Sequence, residues 1–457
     1  MEINQSVKPQ PSALLRWSIL LLISLAMFGN YYIYDSISPL ADVLKEQLGY
    51  SDSNIGLLNA IYSFPNIIMV LIGGIVIDKI GTRKSVVIFT FLIMLGAVIT
   101  ALWGNIYSMA SGRLIFGLGA ESMIVAITTI IARWFKGKEL SFAFGLNLTL
   151  ARLGSFIALN APSWGKDYYN YWQTPLLITV AAGVFAFFCV IIYYFFDSYA
   201  SRRFALPKEG KQDKVVLGEL LKFGKSFWYI TALCVTFYSA MFPFQTFAVK
   251  YFEEAHNTTR EVGGNLSSML TLAAMIFTPL FGLLSDRIGK RSLLMMFGSL
   301  LIIPVYLMMA YNVDIATPLG LSGSLNINLD FFDIHSSIPM YLVIPMAMMG
   351  IAFSLIPAVM WPSVAIIVDQ EKLGTAYGLM TMIQNIGLFA FNLIIGFAND
   401  ISHASVSNPS GYNAGMWIFS SLGFFGLLFA YLLRQNEIGP KGHGLEKGTI
   451  KNIAVEG

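Results

Sequence analysis

The sequence predicts an all-α membrane protein with twelve transmembrane helices in two pseudo-symmetric six-helix bundles. Three observations predict it. Of the 457 residues, 56% are hydrophobic and only 12% are charged, about half the charge of soluble domains. Twelve apolar stretches are long enough to cross a hydrocarbon slab about 30 Å thick. The chain also repeats itself. Gly74, Asp78, Gly81 and Arg83 follow the second stretch, and Gly282, Asp286, Gly289 and Arg291 follow the eighth, each 208 residues later.

The elements follow in order. A short polar start leads into 15–42, which is too long for a cleavable leader and carries Tyr31, Tyr32, Tyr34 and Asp35. The next stretches are 55–77, closed by Asp78-Lys79, and 86–103, opened by Arg83-Lys84. Then come 108–132, with Arg113 and Glu121 inside it, 140–161, with Arg152 inside it, and 173–196. A polar, basic linker over 197–226 separates the halves, so the first bundle is 1–196. The second bundle, 227–435, holds the stretches 227–250, 264–285, 292–311, 339–367, 374–397 and 413–433, and a tail over 436–457 ends the chain. Between the ninth and tenth stretches, 311–338 has no Lys or Arg, carries Asp314, Asp330 and Asp333, and alternates at Leu325, Ile327, Leu329 and Phe331. That alternation reads as an external β-hairpin.

The basic residues set the orientation. With the N-terminus in the cytoplasm, 23 of the 29 Lys and Arg fall in cytoplasmic segments, among them Lys136, Lys138 and the linker's Lys208, Lys211, Lys214 and Lys222. Lys45, Lys166, Lys250 and Arg260 fall outside. Both termini are therefore expected in the cytoplasm. Cys189 and Cys234 lie in apolar stretches and imply no disulfide framework. The four histidines, His256, His335, His403 and His443, fall in loops or the tail, so no buried histidine relay is expected. No metal-ligand cluster, phosphate loop or nucleophile constellation occurs. The chain is read as a carrier and not an enzyme, with no cofactor, no metal and no nucleic-acid partner.

Charges inside apolar spans mark sites by default. Glu121 is 12 residues from Arg133, and Arg152 is 13 residues from Glu139. At ~1.5 Å per residue both lie near the midplane. An acid and a base at one level are the leading site pair, and mutual neutralisation is the bland alternative. Arg113 and Asp35 share a level nearer the outside. A buried pair bracing the first helix against the fourth is the first reading, and proton coupling or substrate binding is the second. Gly74, Asp78 and Arg83, with Gly282, Asp286 and Arg291, read as helix packing and a cytoplasmic gate latch.

The repeated loop motif, with Arg113-x-x-x-Gly117-x-Gly119, resembles the major facilitator superfamily. Tyr62-Ser-Phe-Pro-Asn66, Trp134-Phe-Lys-Gly-Lys-Glu-Leu140, Trp361-Pro362, Leu373-Gly-Thr-Ala-Tyr377-Gly and Ile383-Gln384-Asn385 resemble its lysosomal dipeptide transporter branch. The resemblance covers nearly the whole membrane region. It implies passive, uniport carriage of dipeptides, with Glu121 and Arg152 in the site, joined by Trp361, Tyr377, Gln384 and Asn385, and with Tyr34 and Tyr62 among the shared motifs. A dipeptide suits such a pair chemically. A carboxylate takes the ammonium, and a guanidinium takes the carboxylate as a fork. The alternatives are a proton-coupled symporter, or an exporter of an organic anion or a drug. A non-transporting receptor is set aside because of the charges at pore level. The expected partners are a small peptide and the lipid bilayer, with a functional monomer and an accessory subunit left open. The expected place is the cell (inner) membrane, with the lysosomal membrane as the alternative.

Overall fold

The computed structural model describes residues 9–135, 139–204, 206, 223–329, 334–369, 372–440 and 442–447. Lys8, Lys136, Lys138, Lys208, Lys211, Lys214, Lys222, Glu371, Lys441 and Lys451 lie outside them, as do Asp330, Phe331 and Asp333 of the hairpin.

The first half contains α1 (Ala13–Asp35), α2 (Ala41–Leu48), α3 (Asp52–Ile80), α4 (Thr82–Leu102), α5 (Ile106–Trp134), α6 (Leu140–Gly165) and α7 (Gln173–Arg203). The second contains α8 (Lys225–His256), α9 (Arg260–Ile288), α10 (Arg291–Ala310), α11 (Met340–Ile367), α12 (Leu373–Ile401) and α13 (Asn413–Ile438). With α1 and α2 as one span, eleven spans are long and apolar enough to cross a membrane. The twelfth is α3, which bends by 56° between Met69 and Ile72. Every backbone polar group inside lipid needs an internal partner, and helices supply one.

The repeat is structural as well as textual. In the first half α1 packs on α6 and α7, α3 on α5, and α4 on α5 and α7. In the second half α8 packs on α12 and α13, α9 on α11, and α10 on α11 and α13. The halves meet along two seams, α3 with α12 and α6 with α9. Glycine permits each close approach. A Cβ on Gly56 would strike the Asn392 carbonyl oxygen, and one on Gly264 would strike that of Leu159.

Four boundaries differ from the sequence reading. The first span is not continuous. Pro39, at the start of a 3-10 turn over Ser38–Leu40, prevents straight continuation after Asp35. The linker starts later than 197, because Asp197 is fully buried and ion-paired within α7. The helix α13 runs past Arg434 to Ile438, and Glu446 folds back to accept from the Ser292 backbone N–H at 3.1 Å. Lys250 is no loop residue but lies buried in the last two turns of α8. Between α10 and α11, β1 (Ser324–Leu329) and β2 (Ile334–Pro339) pair antiparallel, Ser324 opposite Pro339.

Candidate functional site

The break after Asp35 creates the first feature of the site. A helix end leaves carbonyls without intrahelical partners. Arg113 of α5 takes them. Its Nη1 donates to the Ile33 carbonyl at 3.1 Å and its Nη2 to that of Tyr34 at 3.2 Å. Nε donates to the Leu58 carbonyl at 3.2 Å, and Nη2 also reaches Asn59 Oδ1 at 2.8 Å. The rings of Tyr34, Tyr62 and Phe116 surround the guanidinium at 5.9, 5.7 and 5.1 Å. This corrects the expected pairing. Arg113 braces the first helix through its carbonyls, and no Arg113–Asp35 ion pair forms among the described residues. Asp35 is half-buried and lies in electrostatic reach of Arg152 as well as Arg113.

Glu121 of α5 and Arg152 of α6 are both half-buried. Among the described residues neither makes an ion pair with the other or with any third group. The residue they share is Tyr31 of α1. Its ring lies 5.5 Å from the Arg152 guanidinium, and its hydroxyl is in electrostatic reach of both Arg152 and Glu121. Phe353 of α11 approaches the same guanidinium from the second half, 5.4 Å away. Arg152 is therefore held by two rings, one from each half, with its donors unspent.

A cavity of about 440 Å³ lies on the terminus-bearing side of Arg152. It is walled by α6, α8, α9 and α11, with Arg152, Thr149, Tyr238, Met275, Phe353 and Trp361 among its lining. Trp361 Nε1 donates to Tyr238 Oη at 2.9 Å, and Tyr377 Oη donates to the Trp361 carbonyl at 3.0 Å. Tyr238 stacks on Phe242 at 5.6 Å, which meets Tyr34 at 6.2 Å, which meets Tyr62 at 4.8 Å. One aromatic chain thus runs from Trp361 in the second half to Tyr62 in the first.

The other sequence candidates stand back from that cavity. Gln384 Oε1 accepts from Cys234 Sγ at 3.5 Å. Asn385 is buried and donates to its own helix at Thr381, 3.0 Å away. The sequence offers Tyr31, with Tyr32 and Tyr34, as lining either the cavity or the interface belt, and it does not point to Tyr238 or Phe353. Tyr31 carried a signal, as one of three tyrosines near Asp35. Phe353 carried none, since a phenylalanine in an apolar run looks like any other. Among the described residues no three of His, Cys, Asp or Glu gather as metal ligands would.

The two faces of the molecule differ. At the face away from the termini, ion pairs cross between the halves. Arg260 pairs with Asp42, Lys250 with Asp52, and Lys45 with Glu254 at 3.6 Å. Asp400 of α12 accepts from the backbone N–H groups of Asp52 and Ser53, each at 2.8 Å, at the start of α3. At the terminus-bearing face the loop-motif arginines pair within their own halves. Arg83 meets Asp197 at 2.8 Å, with Ser198 and Ser201 beside it. Arg291 meets Asp286 at 2.6 Å. In this conformation the two arginines brace loops against neighbouring helices, and among the described residues neither pairs across the halves. His256, expected in a loop, ends α8 with its Nε2 at 3.0 Å from Tyr251 Oη.

The sequence matches the family profile of the Major Facilitator Superfamily over residues 23–314 and 244–454. It is 31% identical over 400 residues to the human (Homo sapiens) lysosomal dipeptide transporter MFSD1, covering 84% of this chain and 80% of that protein. It is 22% identical over 294 residues to the probable sulfoacetate transporter SauU of Cupriavidus necator, covering 61% and 66%. The nucleoside transporter NupG superposes with a TM-score of 0.68 at 13% identity, over 92% of this chain and 98% of that one, and so shares the fold. The chain is a multi-pass membrane transporter that belongs to the major facilitator superfamily, in the branch of its lysosomal dipeptide transporters.

Proposed function

We propose that the protein is an alternating-access uniporter of dipeptides and similar small zwitterionic peptides. The observation that carries this reading is the state of Glu121 and Arg152. They are opposite charges in an apolar interior, without an ion-pair partner among the described residues, and the Tyr31 hydroxyl is in electrostatic reach of both. Unpaired charge in such a setting is costly. A ligand that brings an ammonium to one and a carboxylate to the other relieves both costs at once. The name of the 31%-identical relatives supports the same reading.

The crossing ion pairs close the face away from the termini, while the cavity lies towards the termini. With both termini in the cytoplasm, as the basic residues favour, this is the inward-facing state. Opening the other way requires the Asp42–Arg260 and Asp52–Lys250 pairs to part. Within this reading a single chain is the working unit.

A second reading has one observation in its favour. Arg152 lines the cavity and Glu121 does not. An organic-anion carrier would use the arginine alone, as the name of the sulfoacetate relative suggests. Proteoliposome counterflow with labelled dipeptides separates the two. Exchange of a free dipeptide, lost when either of its ends is capped, supports the first reading. Exchange that survives N-acetylation but not C-amidation supports the second.

A further inference from the structure

Resting on the dipeptide reading, we infer that the cavity beyond Arg152 seats the side chain of the C-terminal residue. It favours dipeptides ending in an aromatic or branched apolar residue over those ending in glycine, lysine or arginine.

The argument is positional. Arg152 is part of the lining, whereas Glu121 and Tyr31 are not. A peptide carboxylate on the guanidinium therefore sits at the cavity rim, with its ammonium directed away from the cavity towards Glu121. The α-carbon bearing the last side chain is bonded to that carboxylate. Its side chain leaves beside Arg152, and the open volume there is the cavity.

The lining then sets the preference. Met275, Pro279, Phe353, Pro357 and Trp361 present apolar surface, and about 440 Å³ is ample for an indole or a phenyl ring. Arg152 is the one charged residue in that lining. A lysine or arginine side chain entering here meets a like charge and no carboxylate, and loses water without compensation. A glycine leaves the apolar wall uncovered. Burial of one large apolar side chain is worth on the order of tenfold or more in affinity.

The test uses purified full-length protein, with thermal shift and competition in counterflow. Gly-Phe and Gly-Leu should bind on the order of tenfold tighter than Gly-Gly, and Gly-Lys more weakly than Gly-Gly. Thr149→Phe and Thr278→Phe, one on each side of the cavity, should lower affinity for Gly-Phe several times more than for Gly-Gly. Either variant suffices if the other misfolds. A flat ranking with every dipeptide bound overturns the inference and leaves the Glu121–Arg152 reading standing. Phe-Gly binding tighter than Gly-Phe also overturns it. Failure of every dipeptide to bind removes both.

Discussion

The guanidinium of Arg152, in the first half, faces the ring of Phe353, in the second, at 5.4 Å, with Tyr31 at 5.5 Å on the side of its own half. An arginine at this depth needs compensation. Here π-faces supply part of it and leave the hydrogen-bond donors available. The contact also spans the two halves, so on the alternating-access reading what holds Arg152 reports on closure.

Phe353→Leu keeps apolar volume and removes the π-face. A desolvated cation–π contact is worth up to ~2 kcal/mol. Dipeptide affinity should fall by roughly threefold to thirtyfold, with the protein still folded. The apparent KM in counterflow measures it. An unchanged KM would mean that the ring only fills space.

Glu121→Gln and Arg152→Ala should each abolish dipeptide-induced thermal stabilisation, because each removes the partner of one peptide terminus. Size-exclusion behaviour should be unaltered. A normal ligand shift in either variant would sink the assignment.

Arg113 and Asp35 should behave differently from a salt-bridged pair. Arg113 satisfies three carbonyls and one amide oxygen. Arg113→Leu leaves the Tyr34 carbonyl and Asn59 Oδ1 without that donor, at about 1–3 kcal/mol for each buried acceptor, while the Ile33 carbonyl keeps Ser36 Oγ at 2.8 Å. Its melting temperature should fall far more than that of Asp35→Asn, which takes no donor from Arg113. Equal losses in the two variants would indicate a direct pair after all.

The crossing charges at the face away from the termini make a further test. Lys250 is buried against Asp52. Removing one member of such a pair costs about 3–5 kcal/mol. Lys250→Met should thus weaken outer closure and move the population towards the outward-facing state. A cysteine placed at Gln245, buried in that seam, should be labelled faster by an impermeant maleimide applied from outside. The background for this measurement has Cys189 and Cys234 replaced. No gain in labelling would show that the pair is not a gate.

What sequence reveals here follows from the solvent. Lipid forces twelve apolar helices, so the spans are legible, and the offset of 208 residues between Asp78 and Asp286 exposes the repeat. Glu121 and Arg152 stand out because charge is rare at that depth. Tertiary facts were not legible. Lys250 reads as an outer basic residue until Asp52, 198 positions earlier, comes to face it. Arg113 reads as the partner of Asp35 because charge seeks charge. Yet the break at Pro39 frees carbonyls, and an arginine fork donates to those as readily as to a carboxylate.

Energy coupling is decided by charge balance. On the dipeptide reading the site offers Glu121 and Arg152, and a dipeptide zwitterion brings one charge of each sign. Empty and loaded carriers then hold the same net charge, so no proton is required to let the loaded form reorient. Asp35 has Arg152 and Arg113 in electrostatic reach, and the charge balance does not call on it as a proton carrier. Dipeptide counterflow should therefore persist with equal pH on both sides, and it should be insensitive to membrane potential. An inward proton gradient should not raise internal dipeptide above equilibrium. Concentrative uptake that collapses with a protonophore would establish a symporter instead. Asp35→Asn and Glu121→Gln, assayed for exchange in the absence of any gradient, would then identify which carboxylate carries the proton.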